Sequence, residues 1–287
     1  MTTRARSLDG KALVARLDAD LRVRVSALHG KGTTPCLATI QVGGNPSAAA
    51  YARQLGRHAG ALGVAHRPLS LPDDIAPNAL RREIERCNGD TSVHGIALLL
   101  PLPEALPARE FQPLIDPRKD VEGVTHANLG ATVRGGRSGF QPATAEAEMA
   151  LLAEAGVPIK GGEAVVIGQS DLVGKPVALL LMEAFATVTV CHIETRDLAA
   201  HTRRADILVS AAGRPRLITG ELVRQGACVV DVGINRVGDD LVGDVDAESV
   251  AATAAWLTPV PGGVGPVTVA LVLRNTVRAA ESAGAAS

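Results

Sequence analysis

A chain of 287 residues with 46% hydrophobic content and 30 glycines is long enough for one large or two ordinary domains with real cores, so it reads as a globular protein. Lys and Arg total 29 against 30 Asp and Glu, a formal charge of -1 with no basic stripe, which sets nucleic acid aside in favour of a small-molecule partner. No apolar run approaches the ~20 residues of a membrane span, and "MTTRARSLDGK" lacks the apolar stretch of a signal peptide, so the expectation is a cytoplasmic protein with no membrane partner.

In chain order, "GKALVARLDADLRVRVSALH" (10–29), "SAAAYARQLGRHAGALG" (47–63) and "NALRREIERCN" (78–88) read as helices. Between and after them, "CLATIQVG" (36–43) and "VHGIALLLPL" (93–102) read as short strands. That alternation predicts a parallel α/β layer. From 117 to 144 the composition shifts to turn residues, in "PRKDVEGV" and "VRGGRSGFQPAT", which suggests a domain boundary near 143. The second half alternates more strictly: "EAVVIG" (163–168), "TVTVCH" (187–192), "DILVSAAG" (206–213), "ACVVDVG" (227–233) and "WLTPV" (256–260) are apolar runs of strand length. Helices "GKPVALLLMEAF" and "TVALVLRNTVRAAESA" bracket them. A doubly wound, Rossmann-like parallel sheet follows, with ligands expected at the carboxyl ends of its strands.

The first turn of that sheet, "VVIGQSDLVGKPV", ends a strand on Gly168 and opens a helix at Gly174. Exposed N–H groups and the helix dipole there make either a phosphate-sized anion site or a plain structural turn. The pattern is not Gly-x-Gly-x-x-Gly, because Ser170 stands at the middle glycine. Glu194 in "CHIETRD" is either the acid that accepts from an adenosine ribose hydroxyl or a solvated helix-start residue. "TPVPGGVGPVTVALVL" (258–273) packs prolines beside glycines between a strand and an apolar helix, which suggests a rigid loop bringing main chain against a flat ligand. Cys36, Cys87, Cys191 and Cys228 form no Cys-x-x-Cys pair and the seven histidines show no ligand spacing, so buried reduced thiols and no metal are expected.

"PCLATIQVGGNP…Y" (35–51), "VHGIALLLPLP" (93–103), "KDVEG" (119–123), "DVGINR…LVGDVD" (231–246) and "TPVPGGVGPVTVA", in this order, resemble the bifunctional methylenetetrahydrofolate dehydrogenase/cyclohydrolase family over essentially the whole chain. The resemblance implies a folate-binding α/β domain at 1–143 plus 268–287 and a dinucleotide domain at 144–267. It further implies a cleft between the domains, a last helix returning to the first domain, and a homodimer. The activity implied is oxidation of 5,10-methylenetetrahydrofolate with NADP, then hydrolysis of the methenyl product. Folate contacts fall on Tyr51, Leu99, Leu100, Pro101, Glu122, Pro261, Gly262, Gly263, Val264, Gly265, Pro266 and Thr268. Cofactor contacts fall on Gly168, Gln169, Ser170, Val173, Gly174, Ile193, Glu194, Gly213, Gly233 and Ile234.

Several of these positions depart from the family's pattern. The acid-base lysine of Tyr-x-x-x-Lys falls on Leu55, its supporting glutamine on Leu99, and the pterin-gripping aspartate on Glu122. An amide left facing apolar groups costs about 1–3 kcal/mol, so the paired leucines make a self-consistent dry patch. The arginine that reads the 2′-phosphate of NADP falls on Gln169, and a phosphate-contacting serine falls on Ile193. "PATA" (142–145) keeps only Pro142 and Thr144 of Pro-Cys-Thr-Pro. With Glu194 nearby, no cation meets a dianion at these positions, so NAD, or no dinucleotide, replaces NADP. Water attack on a methenyl cation needs a proton-transfer group, whereas hydride transfer needs mainly position and dryness. The expectation is a dehydrogenase without its cyclohydrolase. One alternative is a one-carbon transferase that passes the methylene group to an amine or carbon nucleophile, with His58 either a base or a surface-facing histidine. The other is a non-catalytic folate-binding paralogue.

Overall fold

The computed structural model describes residues 4–135, 139–238 and 240–285. Gly136, Arg137 and Ser138 of the turn-rich stretch lie outside the described residues. The chain divides into two units, one of Ala15–Ala143 with Val269 onward, the other of Thr144–Thr268 with the residues before Ala15. The first fourteen residues thus go with the second unit, not the first as the sequence suggested. The reason is strand β1 (Arg6–Ser7), which pairs outside the sheet that follows it in sequence.

In the first unit, α1 (Lys11–Gly30), β2 (Cys36–Val42), α2 (Pro46–Leu62), β3 (Ala65–Leu71), α3 (Pro77–Gly89), β4 (Gly95–Leu98), α4 (Ala108–Phe111) and α5 (His126–Val133) follow in order. The strands form a parallel sheet ordered β3-β2-β4. Strand alternation sends Leu37, Ala97 and Leu99 to one face and Ala38, Ile40, Ile96 and Leu98 to the other. The first face is covered at helical spacing by Leu21, Val25 and Leu28 of α1 and by Leu55, Ala59 and Leu62 of α2. Val269, Val272, Leu273, Val277 and Ala280 of the last helix join the same cluster. The second face is covered by Leu80, Ile84 and Cys87 of α3. Strand β3 was not expected. It contains Pro68, opposite Thr39, and its residues are half-buried or exposed, a pattern permitted because β3 is an edge.

The second unit runs through α6 (Ala143–Glu154), β5 (Glu163–Ile167), α7 (Gly174–Glu183), β6 (Thr187–Cys191), α8 (Leu198–Thr202), β7 (Ile207–Ser210), β8 (Cys228–Asp231), hairpin β9 (Asn235–Val237) and β10 (Asp240–Val242), α9 (Ala247–Val250) and β11 (Trp256–Leu257). Helix α10 (Val264–Ala285) closes the chain. The six-stranded parallel sheet has the order β1-β11-β8-β7-β5-β6. Its four longest strands carry the apolar runs expected of a buried sheet, with β5, β7 and β8 nearly continuous in burial. From β5 the chain steps outward to β6 and then returns across β5 to β7. This reversal creates a topological switch point at the carboxyl ends of β5 and β7. Arg6 lies over the Trp256 ring at 3.9 Å and fixes β1 to the far edge.

Candidate functional site

Tyr51 stands on α2 one turn before Leu55, so both share a helix face. Leu55 is 0% and Leu99 2% exposed, and Tyr51 packs against the apolar cluster that contains both. Leu99 sits just past β4, its N–H donating to Ile40 O at 2.9 Å, and the Leu100–Pro101 peptide beyond it is cis. The dry patch expected from two leucines is therefore a physical neighbourhood. The Tyr51 hydroxyl donates to Glu122 Oε1 at 3.5 Å, the long end of the hydrogen-bond range. Burial, and then the charge of Asp120, pushes the Glu122 carboxyl up to about 8, with the Tyr51 hydrogen bond pulling the other way. Burial, then Glu122, pushes the Tyr51 phenol well above its ordinary value. At neutral pH the pair is a protonated acid beside a neutral phenol.

The segment that presents Glu122 is held by its neighbours in "KDVEG". Lys119 Nζ donates to the Cys87, Asn88 and Asp90 carbonyls at 3.1, 2.8 and 2.7 Å, closing the carboxyl end of α3. Asp120 is fully buried and accepts from Val124 N, Thr125 N and Asn128 Nδ2 at 3.1, 2.8 and 2.8 Å. Gly123 has φ +71°, and a Cβ there would lie 2.5 Å from the Gln141 main chain, so only glycine fits. His58 lies two turns beyond Tyr51, and its Nε2 is 2.7 Å from Asp18 Oδ1 on α1. That contact ties α2 to α1 through the Nε2 side of the ring.

In the six-stranded sheet the expected cofactor residues all follow carboxyl ends of strands: Gly168 after β5, Ile193 and Glu194 after β6, Gly213 after β7, Gly233 and Ile234 after β8. Gly168 has φ +113°, and a Cβ on it would strike the Ala211 carbonyl oxygen. A Cβ on Gly174 would lie 2.6 Å from the Gly168 carbonyl carbon. The β5 turn therefore closes tightly on itself and on the β7 turn. Ser170 Oγ accepts from Val173 N and Gly174 N at 3.2 and 3.4 Å. The serine at the middle-glycine position thus caps α7, and an incoming phosphate would share those N–H groups with it. Gln169 and Glu194 are exposed, while Ile193 and Ile234 are 84% and 67% exposed, apolar flanks at the same sheet edge. These glycine contacts, the helix start and the exposed aliphatic flanks fit a nicotinamide dinucleotide.

The proline–glycine loop begins at Thr258, past β11. Val260–Pro261 is cis and Gly262 has φ +113°. Gly263 N donates to Pro259 O at 2.8 Å, and a Cβ on Gly263 would lie 2.8 Å from both Pro259 O and Thr258 Cβ. Gly262 is thus demanded by its left-handed backbone and Gly263 by close approach, whereas Gly265 has open space around it. Val264 starts α10 with Pro266 in its first turn. Thr268 Oγ1 donates to Val264 O at 3.1 Å, so its hydroxyl is turned into its own helix. Sequence reading missed three acids. Asp231 and Asp244, quoted there only as part of a motif, are buried and bind the loops beyond β7 and β8. Glu148 on α6 is fully buried, and neither carboxyl oxygen has a hydrogen-bond partner among the described residues. Burial pushes it well above the usual carboxylate range.

Residues 8–122 match the model of the tetrahydrofolate dehydrogenase/cyclohydrolase catalytic domain, and residues 142–284 that of the family's NAD(P)-binding domain. The bifunctional protein FolD of Moorella thermoacetica is 46% identical over 277 residues, 96% of this chain and 99% of the relative. Among solved structures, the bifunctional FolD dehydrogenase/cyclohydrolase of Campylobacter jejuni superposes with a TM-score of 0.94 at 42% identity, covering 97% of this chain and 99% of that one. The Trypanosoma brucei enzyme, solved with NADP and an inhibitor, gives a TM-score of 0.94 at 38% identity, covering 97% and 98%. With both domain models matched in order and near-complete coverage by such relatives, this chain belongs to the tetrahydrofolate dehydrogenase/cyclohydrolase family.

Proposed function

We propose that this chain oxidises 5,10-methylenetetrahydrofolate with NAD as hydride acceptor and has lost the hydrolytic step that follows in bifunctional relatives. The observation that carries the loss is the joint burial of Leu55 and Leu99 beside Tyr51. A side chain that takes up and returns protons for water attack needs an ionisable head in contact with the reacting atoms, and positions 55 and 99 offer only hydrocarbon. Hydride transfer asks for less: an oriented methylene carbon and excluded water. A bound nicotinamide supplies the hydride acceptor, and Tyr51 supplies a neutral aromatic wall. Glu122 takes the pterin's N–H edge as an acceptor when ionised.

The preference for NAD rests on the carboxyl ends of β5 and β6, where exposed Gln169, Ile193 and Glu194 offer no cation to a 2′-phosphate and one carboxylate against it. Arg196, also exposed, follows two residues after Glu194 and is the side chain an NADP enzyme would recruit. The assay mixes protein, methylenetetrahydrofolate and either cofactor, following the reduced nicotinamide and formyl product separately. NADH formation without formyl product is the expected result. No reduced cofactor from either dinucleotide sinks the dehydrogenase reading, and NADP preferred over NAD, abolished by Arg196→Ala, sinks the cofactor assignment. A homodimer, as the family resemblance implies, is part of this reading and is checked by sedimentation equilibrium.

A further inference from the structure

We propose that Asp231 and Asp244 are positioning residues that lock the loops after β7, β8 and β11 into one register, so that dinucleotide affinity depends on two carboxylates that do not face the ligand. The inference rests on the dinucleotide reading above. Asp244 is 0% and Asp231 3% exposed. Asp244 Oδ2 accepts from Ala212 N at 2.6 Å, Gly213 N at 3.0 Å and the Ser210 hydroxyl at 3.3 Å. Its Oδ1 accepts from Arg214 N and Asn235 Nδ2, both at 2.9 Å. Three consecutive backbone N–H groups beyond β7 therefore turn inward onto this one side chain, an arrangement that would otherwise cradle an external anion.

Asp244 is itself held by Asp231. Asp231 Oδ1 accepts from Gly233 N and Asp244 N, each at 3.0 Å, and its Oδ2 from Val245 N at 3.0 Å. The Asp231 main chain is in turn tied to the first residue of the proline–glycine loop: Asp231 N donates to Thr258 Oγ1 at 2.7 Å, and the Thr258 hydroxyl donates to Asp231 O at 3.3 Å. Space enforces the same order. Cβ atoms on Gly233 and Gly243 would collide with the Asp244 and Asp231 carboxylates respectively. Two consequences follow. The inward N–H groups at 212–214 are spent, so no phosphate binds there and the dinucleotide's pyrophosphate depends on the β5 turn. The β7 and β8 loops and the start of the proline–glycine loop can shift only as a set.

Asp231 also provides a signature that a merely structural role would not. Burial holds its carboxyl up at about 6, with the charge of Asp244, the charged group facing it, adding to the rise and the three N–H donors opposing it. Below that pH the carboxyl takes a proton and becomes a poorer acceptor for those N–H groups. The test uses the full-length enzyme and measures dinucleotide Kd, KM and kcat from pH 5 to 8, with amide exchange at Ala212–Arg214. Expected for Asp244→Asn are a dinucleotide Kd and KM raised about tenfold, kcat within threefold, reduced-folate affinity unchanged, and faster exchange at 212–214. The wild-type dinucleotide Kd should weaken below pH 6, and Asp231→Asn should flatten that dependence. Should Asp244→Asn fail to fold, Asn235→Ala removes one donor and should raise Kd two- to threefold. A Kd within twofold of wild type in folded Asp244→Asn, or unchanged exchange at 212–214, overturns the proposal. If the wild type binds no dinucleotide, the function fails instead, and the exchange rates still decide the clamp.

Discussion

Asp244 and Glu122 are acids in loops of the two units, and they live under different rules. Asp244 gathers five donors, whereas Glu122 has, among the described residues, Tyr51 alone, at 3.5 Å. Asp120, two residues before Glu122, is satisfied three times over, and Glu148 has no partner among the described residues. The contrast separates two uses of a buried acid. Where donors converge, the carboxylate is a fastener for loops; where they are missing, burial raises the pKa and leaves a proton in place at pH 7. Glu122, raised to about 8, belongs to the second kind and sits where ligand chemistry is expected.

Removing a fastener should have the largest effect. Asp120→Ala strands two backbone N–H groups and the Asn128 amide inside the first unit, and should destabilise it by ~3 kcal/mol in urea denaturation. A loss below about 1 kcal/mol would mean the loop re-solvates and the distinction is weaker than drawn. Converting the dry wall comes next. Leu55→Lys with Leu99→Gln should create cyclohydrolase activity on the order of 10²-fold above the parent, read as formyl product. Persistent inactivity with reduced-folate binding intact would show that the leucines are not what removed the hydrolysis.

Glu148→Met should stabilise the protein, by ~2 kcal/mol at pH 7.5, because a buried acid without partners gives way to hydrocarbon of similar size. The sign follows from linkage. Its folded pKa lies well above the ordinary 4.5, so wild-type stability is fully present below about 4.5 and declines as pH rises toward the folded value. The gain from Met should accordingly be smaller at pH 5 than at pH 7.5, and a pH-independent gain would assign the effect to packing alone. The smallest effect concerns Glu122. With its pKa at about 8, the fraction able to accept a pterin N–H rises about tenfold from pH 7 to pH 9. Reduced-folate affinity by calorimetry should follow it, and Glu122→Gln should abolish the slope.

The elements that sequence alone reveals are those whose cause is local. Apolar runs at 163–168, 206–213 and 227–233 became β5, β7 and β8, and the spacing of Leu55, Ala59 and Leu62 made α2 amphipathic. What escaped depends on partners far along the chain. Two residues, Arg6 and Ser7, become strand only by pairing with Trp256 and Leu257. On α2 His58 read either as a base or as a surface-facing ring, and only the fold shows Asp18, 40 residues earlier, against its ring nitrogen. In "DVGINR…LVGDVD" the aspartates were visible but their reciprocal hold was not, since it needs the β9–β10 hairpin to fold Asp244 back onto Asp231. Glu148 sits in "AEAEMALLAE", an acid among alanines and leucines, and only tertiary packing hides it.

Pro68 in the edge strand β3 carries a further consequence, for behaviour at high concentration. A free parallel edge seven residues long is a template on which a second chain can extend the sheet, and proline interrupts that template by withholding an N–H and filling the approach with its ring. The irregularity that hid β3 from a sequence reader also guards it from a neighbouring chain. Replacing Pro68 with valine would improve the strand's propensity and, by the same stroke, give concentrated solutions a seam along which to aggregate.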